Sequence, residues 1–295
     1  MPKPWTDAAG TAMSWWRTVS EVNPGVIVSE SMRDVRLAII GDAEETDRVY
    51  RRLIAGSTVD LIDQFLDPPD QITSSQYVFR LYVTKDNALV GIRDSNSLSF
   101  TGTFEMCTSR MMELRPDLAV ALGRRFPGLR QASSQWIIKS VALANLQFAM
   151  LSAIPGILPI TAPFLPASSF ADLVVLTKNQ TMMVLRLGAI YGEKPGITTQ
   201  VKEILSTVGA AFGWRTIARQ AAGFVPAGAG VALKGAIAWT GTIAVGKVAE
   251  IHYQRGYKVT LREARNATAM PTKEVIDLAK RVAQDVSGRS EIDNI

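Results

Sequence analysis

Near Phe104 the apolar residues of this chain change their spacing. Before that point, short apolar runs of strand length alternate with turn signals. After it, apolar runs of helix length are broken by proline and glycine. A chain with this order is neither a uniform bundle nor a uniform sheet. It reads as α/β plus all-α: a small sheet domain followed by a helical, Gly/Ala-rich domain.

Within the first part, residues 35–40, 59–66, 77–84 and 88–92 read as strands, and residues 44–55 as a helix with Val49, Leu53 and Ile54 on its inner face. The strand–helix–strand order predicts a parallel pairing. Asp67-Pro68-Pro69-Asp70 reads as a loop, because proline removes a ladder donor and restricts the residue before it. In the second part, helices are expected over residues 111–126 with a break at Pro116, then 133–153, 169–191, 198–213, 214–224 and 227–252. A proline-rich connector separates the second from the third, and Gly192 closes the third. The domain boundaries are accordingly placed at 1–32 (an amphipathic helix over 5–20 and a linker), 33–105 (the sheet module), 106–260 (the helical domain) and 261–295 (a terminal helix and tail).

The run from Arg36 to Gly56, RLAIIGDAEETDRVYRRLIAG, has the layout of a phosphate-binding loop: strand, glycine, helix N-terminus. A Walker loop reads G-x-x-x-x-G-K-[ST], with backbone N–H groups closing on phosphate, a lysine on the terminal phosphates and a hydroxyl on Mg²⁺. With Gly41 as the first glycine, those last three places hold Thr46, Asp47 and Arg48. Aspartate stands where the lysine belongs. Glu44 and Glu45 satisfy the helix dipole themselves and repel an anion. Thr84-Lys85-Asp86-Asn87 ends a strand as a base-reading motif would, but asparagine stands at its aspartate position. The loop is read as vestigial, with no catalytic residue and no bound cofactor.

Several stretches are similar to one family. Residues 122–129 (LGRRFPGL), 144–159 (ANLQFAMLSAIPGILP), 171–192 (ADLVVLTKNQTMMVLRLGAIYG) and the Gly/Ala-rich run 222–255 resemble the bacterial GTPase-like proteins that carry a C-terminal YcjF-like, GTPase-associated domain of unknown function. With the strand and Gly41, the resemblance spans most of residues 33–260. It implies a P-loop-type domain joined to a helical, often membrane-associated domain. It implies no particular reaction.

Charge divides as the pattern does. Residues 1–130 hold 15 Lys/Arg against 17 Asp/Glu, a net −2, and residues 131–295 hold 17 against 10, a net +7. The basic residues are spread singly, without the dense aromatic-laced stripe of a nucleic-acid binder, so no nucleic acid is expected. A basic, apolar half fits an anionic membrane surface. Two stretches, 140–165 and 221–246, are long enough to cross ~30 Å of hydrocarbon. Asn145, Gln147 and three prolines oppose insertion of the first, and Lys234 opposes insertion of the second. A bilayer-associated domain and a soluble bundle are both compatible with these runs.

Other chemistry has little to work with. One cysteine, Cys107, and one histidine, His252, make no transition-metal set, and no metal is expected. The lone cysteine fits a reducing compartment. The opening MPKPWTDAAG lacks the apolar core of a secretory signal, so the expected location is cytoplasmic, at the inner face of the cell membrane. On the helix over 169–191, Asp172, Asn179 and Arg186 recur every seven residues and form a polar line. Their apolar flanks predict that the line bonds to a neighbouring element. The reading that results is a pseudo-GTPase scaffold whose helical domain docks on a membrane or a protein partner. Its rivals are a divergent active GTPase at the membrane and a soluble regulatory adaptor.

Overall fold

The computed structural model describes residues 22–57, 62–65, 77–83, 89–92, 99–152, 167–194, 204, 230–256 and 258–267. The expected helices over 5–20, 198–213 (apart from Ile204), 214–224 and 271–286 lie outside them. So do the loop at 67–70, the turn at 84–87, the connector at 155–166 and the side chain of Asp172.

The described chain runs α1 (Pro24–Ser31), β1 (Leu37–Ile40), α2 (Ala43–Ile54), β2 (Ile62–Phe65), β3 (Phe79–Val83), β4 (Leu89–Ile92), β5 (Ser99–Gly102), α3 (Phe104–Leu114), α4 (Ala119–Arg125), α5 (Arg130–Leu151), α6 (Ala167–Ile190), α7 (Gly230–Arg255) and α8 (Leu261–Ala267). These fall into two compact units. One is Gly25–Ile137 with Arg186–Pro195; the other holds the described residues of Ile138–Leu185 and Gly196–Ile295. The fold is α/β plus helical, as its pattern predicts. The change of spacing at Phe104 marks a change of secondary structure, and the sheet unit continues past it through α3 and α4.

The sheet has the order β2-β1-β3-β4-β5. All four residues of β1 are buried, as an apolar run without alternation requires when both faces are covered. β1 pairs in parallel with β2 (Leu37 opposite Ile62) and with β3 (Leu37 opposite Phe79). β3–β4 and β4–β5 are antiparallel. Only residues 84–88 and 93–98 separate these last strands, far short of the dozen or more that a parallel crossover needs. α2 turns Thr46, Val49 and Leu53 inward. It carries Glu44 and Glu45 in its first turn and Arg51 and Arg52 in its last, in keeping with its dipole. α3 is capped by Thr103, whose side chain accepts from the Met106 amide. Pro116 ends that helix in a 3₁₀ turn, and Pro127 opens a second one before α5.

In the helical unit, α7 is the inner element. Between Lys234 and Glu250 none of its residues is exposed. Such all-round burial is what an apolar helix without a polar face demands. Gly235 seats Met150, whose Cγ would lie 2.6 Å from an added Cβ, and Gly246 seats Ile138 at 2.7 Å. No described helix is long and apolar enough to cross a membrane. Of the two stretches expected to be long enough, residues 153–165 and 221–229 lie outside the described residues.

Candidate functional site

In an open α/β sheet, ligands bind at the carboxyl ends of strands where the strand order reverses. Here that place lies between the ends of β1 and β3, beside Gly41 and Val83. It is filled. Gly41 has φ +152°, and a Cβ there would stand 3.1 Å from the Val83 carbonyl oxygen and 3.3 Å from its Cβ. The β1–α2 turn closes directly onto the end of β3.

Only Gly41 and Asp42 separate β1 from α2, so this turn is shorter than the loop of a Walker motif. Thr46, Asp47 and Arg48 are helical. The Thr46 amide donates to the Asp42 carbonyl at 2.9 Å, and its Oγ1 to the Ala43 carbonyl at 3.1 Å. Asp47 pairs with Arg51 at 2.6 Å and Arg48 with Glu44 at 3.3 Å, one helical turn apart in each case. The groups aligned with a phosphate site are thus committed to the helix. Asp42, Glu44 and Glu45 crowd its N-terminus with negative charge.

A second polar cluster sits at the opposite ends of the parallel strands. Arg36 Nη1 donates to Asp63 Oδ2 at 3.1 Å, and the Tyr77 hydroxyl donates to the same oxygen at 2.8 Å. Burial pushes the Tyr77 phenol above its ordinary value, and the bond to Asp63 acts the same way. This trio ties the starts of β1 and β3 to β2, away from the carboxyl ends.

The polar line on α6 resolves into two arrangements. Asn179 Nδ2 donates to Asn145 Oδ1 at 2.7 Å. Asn145 Nδ2 donates in turn to Thr242 Oγ1 at 2.8 Å, and Gln180 Nε2 reaches the same hydroxyl at 3.3 Å. Thr242 passes its own proton to the Ala238 carbonyl at 2.8 Å. Two bonds accepted and one donated exhaust that hydroxyl. Asn145 and Thr242 are fully buried. Arg186 stands apart from this network: it makes a two-pronged pair with Glu30 of α1, at 2.7 and 2.8 Å. Both described members, Asn179 and Arg186, bond across to other helices, but they are not one device. Seven residues carry a helix ~10 Å along its axis, so each meets different neighbours. Asn145 and Glu30 are the bonding partners that sequence reading did not place.

Cys107 is buried in α3, and burial pushes its thiol up to about 11. A rise from the ordinary value of 9.0 to about 11 leaves about a hundredfold less thiolate near neutrality. Native protein is therefore expected to react with a thiol reagent at least that much more slowly than urea-unfolded protein; equal rates would show an accessible, reactive cysteine. Among the described residues no group of three metal-ligating side chains comes together.

No protein-family model, curated protein or solved structure matches the chain.

Proposed function

We propose that this chain works by binding rather than by catalysis, as a pseudo-GTPase scaffold whose basic helical half docks on a membrane surface or a protein partner. The observation that supports the first half of this reading is the β1–α2 turn. Gly41 lies against Val83 at the ends of β1 and β3, with no room for a side chain between them. The helix dipole there is already answered by Asp42, Glu44 and Glu45. The Thr46 amide, which a phosphate loop would offer to its ligand, is spent on Asp42. Docking rests on the +7 balance of residues 131–295, which favours an anionic surface.

Calorimetric titration of the full chain with GTP, GDP and ATP in Mg²⁺ tests it. No heat of binding is expected at micromolar nucleotide. Saturable GTP binding that Gly41→Trp abolishes would restore the active-GTPase reading. Flotation with anionic vesicles, lost as salt is raised, would identify the membrane surface as the partner.

A further inference from the structure

Within the helical unit α5 has two faces. Ile138, Ala142, Asn145, Leu146 and Ala149 are buried. Lys139, Leu143, Gln147 and Leu151, spaced by four, are all exposed. That spacing makes one stripe ~18 Å long, on the side of the helix turned away from Asn145. Among the described residues of this unit, Leu143 and Leu151 are the large apolar side chains left exposed, at 38% and 37%. Charge on the unit runs one way. Its exposed charged residues, among those described, are Lys139, Lys178, Arg255, Lys258 and Arg262, all cations. Of the described acids, Glu250 is buried against Lys247, and Glu263 is held by Arg255 and Thr260. Residues 118–171 and 204–249 contain no Asp or Glu at all.

We propose that this stripe of α5 is the surface by which the helical unit lies on an anionic bilayer. Leu143 and Leu151 enter the boundary between headgroups and acyl chains, and Lys139 lays its stem along them while its ammonium stays among the lipid phosphates. The inference rests on the docking reading above and names its partner and its contact. Charge selects the sign of that partner, since the unit shows cations and no exposed acid. The spread of the charge selects a bilayer. An acidic protein partner needs cations gathered against its own acids, and here they are distributed from α5 to α8. Beyond Lys139 the stripe offers no second charge, only one amide and two leucines. A plane of anionic headgroups asks for no register. Separate cations act on it through one shared field, and a leucine packs as well against any acyl chain.

Flotation of the full chain with phosphatidylcholine vesicles, with and without phosphatidylserine, tests it. Wild type is expected to float with the anionic vesicles and to stay behind with the neutral ones. Both leucines are exposed, so Leu143→Ser with Leu151→Ser leaves the core untouched, and an unchanged thermal melt verifies that. This double variant is expected to bind anionic vesicles about tenfold more weakly. A fluorophore on Leu143→Cys reads the contact directly, because the native Cys107 is buried and its thiol is pushed up to about 11. Its emission is expected to shift to the blue with anionic vesicles alone. A wild type that floats while the serine variant floats equally, with the fluorophore still in water, overturns this contact and leaves membrane docking standing. A wild type that ignores both vesicles overturns the contact and removes the membrane from the proposed function. Equal binding to neutral vesicles overturns the choice of an anionic partner.

Discussion

Asn145→Ala is expected to cost the helical unit about 2–4 kcal/mol, part from the polar partners it strands and part from the cavity it opens. At ~2–4 °C per kcal/mol for a chain of this size, its transition should fall by roughly 5–15 °C. Asn145 is the middle of a chain in which Asn179 gives to Asn145, Asn145 to Thr242 and Thr242 to the Ala238 carbonyl. Removing the middle leaves the Asn179 amide without its acceptor and takes one donor from Thr242. Such polar groups cost more in a dry bundle than in water, since the alternative partner is absent. Replacing all three side chains by apolar ones of like size, Asn145→Leu with Asn179→Leu and Thr242→Val, should therefore cost less than the single change. Thermal melts together with hydrogen exchange on α5, α6 and α7 read both effects. An Asn145→Ala protein that melts as wild type would mean that the network contributes nothing, and a triple variant worse than the sum of its parts would assign the polar groups a role beyond satisfying one another.

The parts of this fold that local chemistry decides were legible, and those that distant contacts decide were not. Leu37–Ile40 announces itself as a buried strand because four apolar residues precede a glycine. α2 shows its inner face through Val49 and Leu53. α5, α6 and α7 are long apolar runs with breakers at their ends. By contrast α1 is eight residues with little periodicity, and its reason to exist lies in Ile27, buried to 0% exposure, and in Glu30, whose partner Arg186 is 156 residues away. β5 has only Phe100 as an apolar residue, and it is a strand because β4 offers it a ladder. The same limit governs the site. Gly41 is readable as a turn residue, and the helix read over 44–55 already takes in Thr46, Asp47 and Arg48; what the pattern leaves out is their bonding, with the Thr46 amide given to the Asp42 carbonyl. Asn145 was visible only as an obstacle to membrane insertion. Its bond to Thr242, 97 residues on, is a fact of packing.

Gly128→Ala is expected to cost the sheet unit about 3 kcal/mol or more, at the upper end of what overpacking does. Gly128 lies in the 3₁₀ turn Pro127–Leu129 that leads into α5. A Cβ added there would stand 1.9 Å from the Arg52 carbonyl oxygen, 2.8 Å from the Arg52 carbonyl carbon and 2.9 Å from the Leu53 Cα. All three are backbone atoms of the last turn of α2. A flexible side chain could swing away from one methyl group, but a helix backbone cannot. Either α2 or the turn must move, and each carries buried neighbours, Leu53 on one side and Phe126 and Leu129 on the other. Gly241→Ala is the matched control. That glycine is inside α7 with no atom within 4 Å of an added Cβ, so the same substitution should stabilise, by up to ~1 kcal/mol through helix propensity. Paired denaturation curves of the two variants give opposite signs if close backbone contact fixes Gly128. If Gly128→Ala unfolds at the wild-type denaturant concentration, α2 and the turn do not meet as closely as these distances require, and the packing that seats α2 against the residues before α5 is wrong.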